Sequence, residues 1–222
     1  MSPTLGFKAF AYSASDLSIP VSPCQCNLVF RCDDTANQAT LLLVATIPTA
    51  NASQTFALQY DADKLLPGTV SLSGGNNQIS QAQLNELARN KDSTSDVRTL
   101  ALGIEQLCPL WCAAAPVFTH KPGCERPFRD LVDLSKATTI HVVFDYKYLQ
   151  KPYHGMFKAF AKAAKGLGGF PVERLLKERG LRKASWEVFG PVNTVGAPPA
   201  YDNPRKRSRT GKAASSINLT YG

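Results

Sequence analysis

No apolar run in this chain approaches the roughly 20 residues that a helix needs to cross a bilayer. A helical membrane span is therefore excluded. The opening residues, MSPTLGFKAFAYSAS, lack the basic-then-apolar order of a secretory leader, so an intracellular protein is expected. In that reducing setting the six cysteines are expected as thiols. Asn51-Ala52-Ser53 and Asn218-Leu219-Thr220 are then chance matches to the glycosylation pattern. There is no G-x-S-x-G around a nucleophile. Gly166-Leu167-Gly168-Gly169 follows a helix pattern instead of preceding one, and no Lys-Ser/Thr comes next, so it is no phosphate loop. No internal repeat and no C-x2-C pair is present.

What is there builds a core. Hydrophobic residues make up 44% and charged residues 19% of the 222 positions, which allows one sizeable packed domain. Phe7, Phe10 and Tyr12 suggest a weak edge strand. Strand character returns at 27–32 and 39–47, and the turn-forming Asp33-Asp34-Thr35-Ala36-Asn37 between them predicts a hairpin. Further strands are expected at 55–60, 69–73 and 97–107. Ser80 and Gln83 form a capping box at the start of a helix over 80–90, with Ile79 and Leu84 placed as a hydrophobic staple. Residues 91–96 are polar, with the look of a mobile loop, and 108–124 read as irregular.

The stretch 128–165 is the best patterned. Phe128, Leu131, Val132 and Leu134 give a helix one apolar side after Pro127. Ile140, Val142, Val143 and Phe144 predict an interior strand. Lys151-Pro152 opens a helix whose apolar stripe is Phe157, Phe160, Ala161 and Ala164, with Lys158, Lys162 and Lys165 aligned on another side. A short helix over 171–179 and a strand over 185–189 follow. The fold class is α+β: one compact domain over 1–192, a β-rich first half closed by a helix–strand–helix unit. Residues 193–222 are poor in large apolar side chains and read as a disordered basic tail.

The net charge of +8 is unevenly placed. Residues 147–183 hold ten Lys/Arg against Glu173 and Glu178, and 200–222 hold five against one Asp. Lys147, Lys151, Lys158, Lys162 and Lys165, interleaved with Tyr146, Tyr148 and Tyr153, are candidates for phosphate contact and base stacking. The plainer reading of such a run is a solvated face. Pro198-Pro199-Ala200-Tyr201 is a PPxY ligand of the type WW domains bind, held extended by its prolines. Arg205, Lys206, Arg207 and Arg209 form a basic cluster of nuclear-import type, and Ser208 inside it would cut that charge if phosphorylated.

Two candidates for chemistry remain. Cys108, Cys112, His120 and Cys124 could supply four zinc ligands from an irregular loop, as Cys24-x-Cys26-x5-Cys32 could supply three. The competing reading is that buried cysteines serve as small apolar residues. Asp145 ends an apolar strand, where acids in α/β enzymes often bind metal, and His141, His154, Asp130 and Asp133 could join it. No cofactor is expected beyond that candidate zinc.

Several segments, in order along the chain, resemble a set of uncharacterised proteins of filamentous fungi. They are LCPLWC at 107–112, KATTIHVVFDYKYLQKPYHGMF at 136–157, GLGGFPVE at 166–173, WEVFGPV at 186–192, and PPAY followed by KRSR. The resemblance implies one structural unit over 136–192 with an attached PPxY-plus-basic tail. It carries over no catalytic residue. The first expectation is a non-enzymatic nuclear protein-interaction module, imported through its tail and able to recruit a WW-domain partner. A nucleic-acid-associated factor acting through 147–183 comes second. A metal-dependent hydrolase or nuclease centred on Asp145 comes third.

Overall fold

The computed structural model describes residues 6–14, 22–76, 78–88, 96–115 and 117–190. Nine strands run in chain order: β1 Phe7–Ser13, β2 Cys24–Asp33, β3 Gln38–Pro48, β4 Ser53–Asp61, β5 Ser71–Gly74, β6 Val97–Gly103, β7 Leu110–Cys112, β8 Thr139–Asp145 and β9 Arg182–Ala184. They form one sheet in the order β5-β6-β8-β1-β2-β3-β4-β7-β9, and every neighbouring pair is antiparallel. Four helices accompany it: α1 Gln81–Leu87, α2 Glu125–Lys136, α3 His154–Phe160 and α4 Glu173–Glu178. The protein is α+β and β-rich.

Side chains alternate along a strand, so a sheet has two faces to bury. On the first, Ala9, Cys26, Leu28, Leu41, Leu43, Phe56, Leu58, Leu100, Val142 and Phe144 meet Phe128, Leu131, Val132 and Leu134 of α2 and Phe157 and Phe160 of α3. Aromatic edges knit that layer together, with Phe30 at 5.1 Å from Phe157 and Phe56 at 5.0 Å from Phe118. On the second face two smaller clusters form. Phe10, Tyr12, Val97 and Val143 are covered by Ile79, Leu84 and Leu87 around α1. Val29, Leu42, Ala57 and Trp111 are covered by Val172, Leu176 and Leu181 around α4.

The β2–β3 hairpin forms with Asp33 opposite Gln38, and the aspartate accepts from the Thr35 and Ala36 amides in its turn. The Ser80–Gln83 capping box is present at α1, and Lys8 of β1 ties Glu86 of that helix at 2.7 Å. Other expectations are corrected. β1 is no edge strand, because it lies between β2 and β8 and buries both faces; small Ala9 and Ala11 carry the side that Phe10 and Tyr12 do not. The strand expected at 97–107 ends at Gly103, and the segment 108–124 contains β7. Residues 185–189 form a 3-10 turn at Trp186–Val188, and β9 precedes it. The stretch 136–192 is not a unit of its own: β8 sits mid-sheet, α3 on one face, α4 on the other and β9 at an edge. Of the loop expected at 91–96, residues 91–95 lie outside the described residues, as do 191–222.

The glycine-rich segment after α3 has a structural task. Gly168 pairs with Gln38 beside β3, where β4 has ended: its amide donates to the Asn37 carbonyl and its carbonyl accepts from Ala39. A Cβ on Gly169 would come within 3.0 Å of the Asp61 side chain. Thr40, fully buried, donates to Asp61 Oδ1 at 2.6 Å and accepts from the Phe170 amide at 2.9 Å. Gln59 joins by donating to Asp61, and it accepts from Trp111 Nε1 at 2.7 Å. Removing the buried Thr40 hydroxyl from this network costs more than its net bond, since the groups it pairs with are left partly desolvated without it. Thr40→Val is expected to destabilise the protein by about 1–3 kcal/mol in urea unfolding, and Thr40→Ser by well under that. Equal stability of the valine variant and the parent would refute this role for the hydroxyl.

Candidate functional site

The five lysines do not form one helical face. α3 stops at Phe160, and the chain then turns, with Ala163 at φ 45°. Ala161 and Ala163 are buried against the core, and that packing overrides the helix preference of the Ala/Lys sequence. Lys158 stands on α3, Lys162 and Lys165 in the turns after it, and Lys151 in a 3-10 turn before it. Lys147 is tied to Asp96 at 2.6 Å. Among the described residues, no carboxylate lies within ion-pair reach of Lys151, Lys158, Lys162 or Lys165, all of them exposed. Farther along, Arg174 and Lys177 are held by Glu178 and Glu173 on α4. The interleaved tyrosines pack against the fold, though Tyr148 stays exposed on one side. Tyr148 stacks on Phe7, and Tyr146 lies 4.9 Å from the His154 ring and 6.0 Å from Phe157. The lysine surface thus offers mainly charge, with Tyr148 as the exposed ring among the three tyrosines.

Asp145 is buried and caps the turn that follows β8, accepting from the Lys147 amide at 2.8 Å. The groups expected to join it are engaged elsewhere. His141 Nδ1 meets the Tyr12 hydroxyl at 3.2 Å, and His154 Nε2 meets the Leu149 carbonyl at 2.8 Å. Burial pulls the His141 imidazole below its ordinary value. Asp130 sits on α2 and accepts from Ser22. The structure does not gather these residues around an open position.

Nor does it assemble the cysteine set. Cys112 lies in β7, Cys124 precedes α2, and His120 pairs with Thr49 and packs its ring against Phe128. Among the described residues, no three of His, Cys, Asp and Glu are placed to hold a metal ion. All six cysteines are free thiols. Burial pushes Cys24 up to about 12 and Cys108 up to about 11, and Cys26 well up. These are apolar filling of the first face, unsuited to nucleophilic work at neutral pH. The fully buried Tyr60 phenol is likewise pushed well up, by burial first and then by the neighbouring Cys108 thiol.

Two features were not anticipated. Among the described residues, exposed Gln25, Asn27 and Thr46 line a groove of about 570 Å³ with Phe10, Val44 and Gln83 of α1. At its end, Arg126 Nε donates to Ser22 Oγ at 2.8 Å, and Ser22 donates to Asp130 Oδ2 at 2.7 Å. Ser22 and Asp130 stand 108 positions apart, so no local pattern signals the relay. The second feature is a hollow of about 450 Å³ beside β9. Pro198, Pro199, Tyr201, Arg205, Lys206, Arg207 and Arg209 lie outside the described residues. Compared with known proteins, the chain matches no family model, no curated protein and no solved structure.

Burial raises the proton affinity of Asp130, outweighing the Ser22 bond and the Arg126 charge. A carboxyl that binds its proton more tightly when folded favours the native state at low pH. That contribution is lost as pH rises from the unfolded value through the higher folded one. Asp130→Asn should therefore gain melting temperature relative to the parent as pH climbs above the ordinary Asp range, then hold level. A gap that shrinks with rising pH would contradict this.

Proposed function

We propose that the chain is a non-enzymatic nuclear interaction module, whose folded domain meets other macromolecules while the tail directs import and recruits a WW-domain protein. One contrast carries the reading. Asp145, His141 and His154 are each engaged in holding the fold, whereas Lys151, Lys158, Lys162 and Lys165 hold no carboxylate among the described residues. Charge that is not used internally is free to meet a partner. The PPxY and basic motifs add short, separable signals of the same kind.

A fluorescent protein fused to residues 193–222 is expected to concentrate in nuclei. Substituting Arg205, Lys206, Arg207 and Arg209 by Ala should disperse it. A fusion that stays cytoplasmic removes the nuclear assignment.

The same four lysines favour a second reading, in which the domain associates with nucleic acid through phosphate contacts. Binding would then fall steeply with salt. The triple reversal Lys158→Glu, Lys162→Glu and Lys165→Glu should flatten the log–log salt slope on a duplex by about 0.9 for each phosphate no longer neutralised. A gel shift that the reversal leaves unchanged rejects this reading.

A further inference from the structure

We infer that the free edge of β9 is the docking site for an extended acidic segment of a partner protein, which adds to the sheet as one more strand. The inference rests on the interaction-module reading and names the kind of partner. A sheet edge presents a row of backbone donors and acceptors that an incoming strand can pair. This sheet ends in β5 on one side and β9 on the other. β5 reads Ser71-Leu72-Ser73-Gly74, without charge. β9 reads Arg182-Lys183-Ala184, with β7 along one side only. Among the described residues, no hydrogen bond outside that ladder uses the backbone of these three positions.

Two further observations bear on the occupant. Arg182 and Lys183 are exposed, and no carboxylate among the described residues lies within ion-pair reach of either. Lys183 is close enough to lower the proton affinity of Glu173, but that carboxylate is already paired with Lys177 at 2.6 Å. Beside the strand lies the hollow of about 450 Å³, walled by Cys112, Ala113, Ala114, Ala115, Ala184 and Val188. Arg182 and Lys183 line it as well, so the hollow offers small apolar surface with both cations beside it.

Register then sets a pattern. Arg182 and Ala184 point to one face and Lys183 to the other. The partner would place carboxylates opposite Arg182 and Lys183 and an aliphatic side chain opposite Ala184, each pair a cross-strand neighbour. A second copy of this chain is a poor occupant. Antiparallel pairing of two β9 edges about Lys183 sets like charges against each other. The chain's own 200–222 segment is poor too, with five Lys/Arg against one Asp. Charge on an edge guards it against its own kind and selects an occupant of opposite sign.

The test uses the full chain and two labelled peptides. One carries a valine followed by two glutamates among threonines; the other has lysines in place of the glutamates. Fluorescence anisotropy should show the glutamate peptide bound and the lysine peptide not bound. Hydrogen exchange should slow at residues 182–184. The variant Arg182→Glu with Lys183→Glu should lose about tenfold or more in affinity for the first peptide and gain binding of the second. Both positions are exposed, so its melting temperature should match the parent. A glutamate peptide weaker than about 1 mM overturns the inference. So do equal affinities for the two peptides, protection elsewhere than β9, or a single-stranded oligonucleotide that alone binds these cations. Import through the tail plays no part in this assay, so the two readings fail separately.

Discussion

A sheet of nine strands must be covered on both sides, and among the described residues four short α-helices do it. That arrangement shapes the molecule. α2, the longest at 12 residues, and α3 cover the first face together with an aromatic layer that includes Phe118, Phe128, Phe157 and Phe189. α1 and α4, with 7 and 6 residues, cover two separate patches of the second. Where cover gives out, the sheet turns polar: Gln25 and Asn27 alternate with buried Cys24, Cys26 and Leu28 on the same strand. The groove lies there. Its floor is polar where the hydrophobic pattern stops, and Gln83 of α1 and Arg126 and Asp130 of α2 bound it.

Holding two layers to one sheet demands that the chain pass from one face to the other. The segment 166–173 makes that passage around the end of the β2–β3 hairpin. It is pinned by Gly168 on β3 and by Phe170 on Thr40. A small residue is favoured at Gly169, where a Cβ would stand 3.0 Å from the Asp61 side chain. Gly166, at φ 79°, adopts a conformation that a side chain would strain. The same passage delivers α4 onto Leu42 and Trp111 and so leads to β9 at the far edge. The buried Thr40 hydroxyl and the half-buried Asp61 carboxylate anchor the start of that passage.

Features written in a few consecutive residues were legible in the sequence. The hairpin at Asp33–Asn37 and the cap at Ser80 depend on groups within three positions of each other. β8 announced itself through Ile140, Val142, Val143 and Phe144 because an interior strand is apolar on both sides. What failed was set by distant partners. Lys162 and Lys165 left the helix because Ala161 and Ala163 are drawn into the core. Arg182-Lys183-Ala184 has no strand composition and becomes one by pairing with Leu110–Cys112, some 70 positions earlier in the chain. The cysteines shared short spacings, yet Cys112 lies in β7 while Cys108 precedes that strand and Cys124 precedes α2. Spacing alone could not reveal that.

The position of β8 has a consequence for synthesis. The first strand of the chain needs both β2 and β8 beside it, and β8 ends at Asp145. At about 5–20 residues per second, β1 waits on the order of ten seconds for its second neighbour to emerge. During that interval the backbone edge of Phe7–Ser13 stands open in a nascent chain. Its large apolar side chains, Phe7, Phe10 and Tyr12, stand open with it. Closure of the centre thus waits for the last but one of the nine strands, and the newly made protein is most in need of chaperone cover until β8 has emerged.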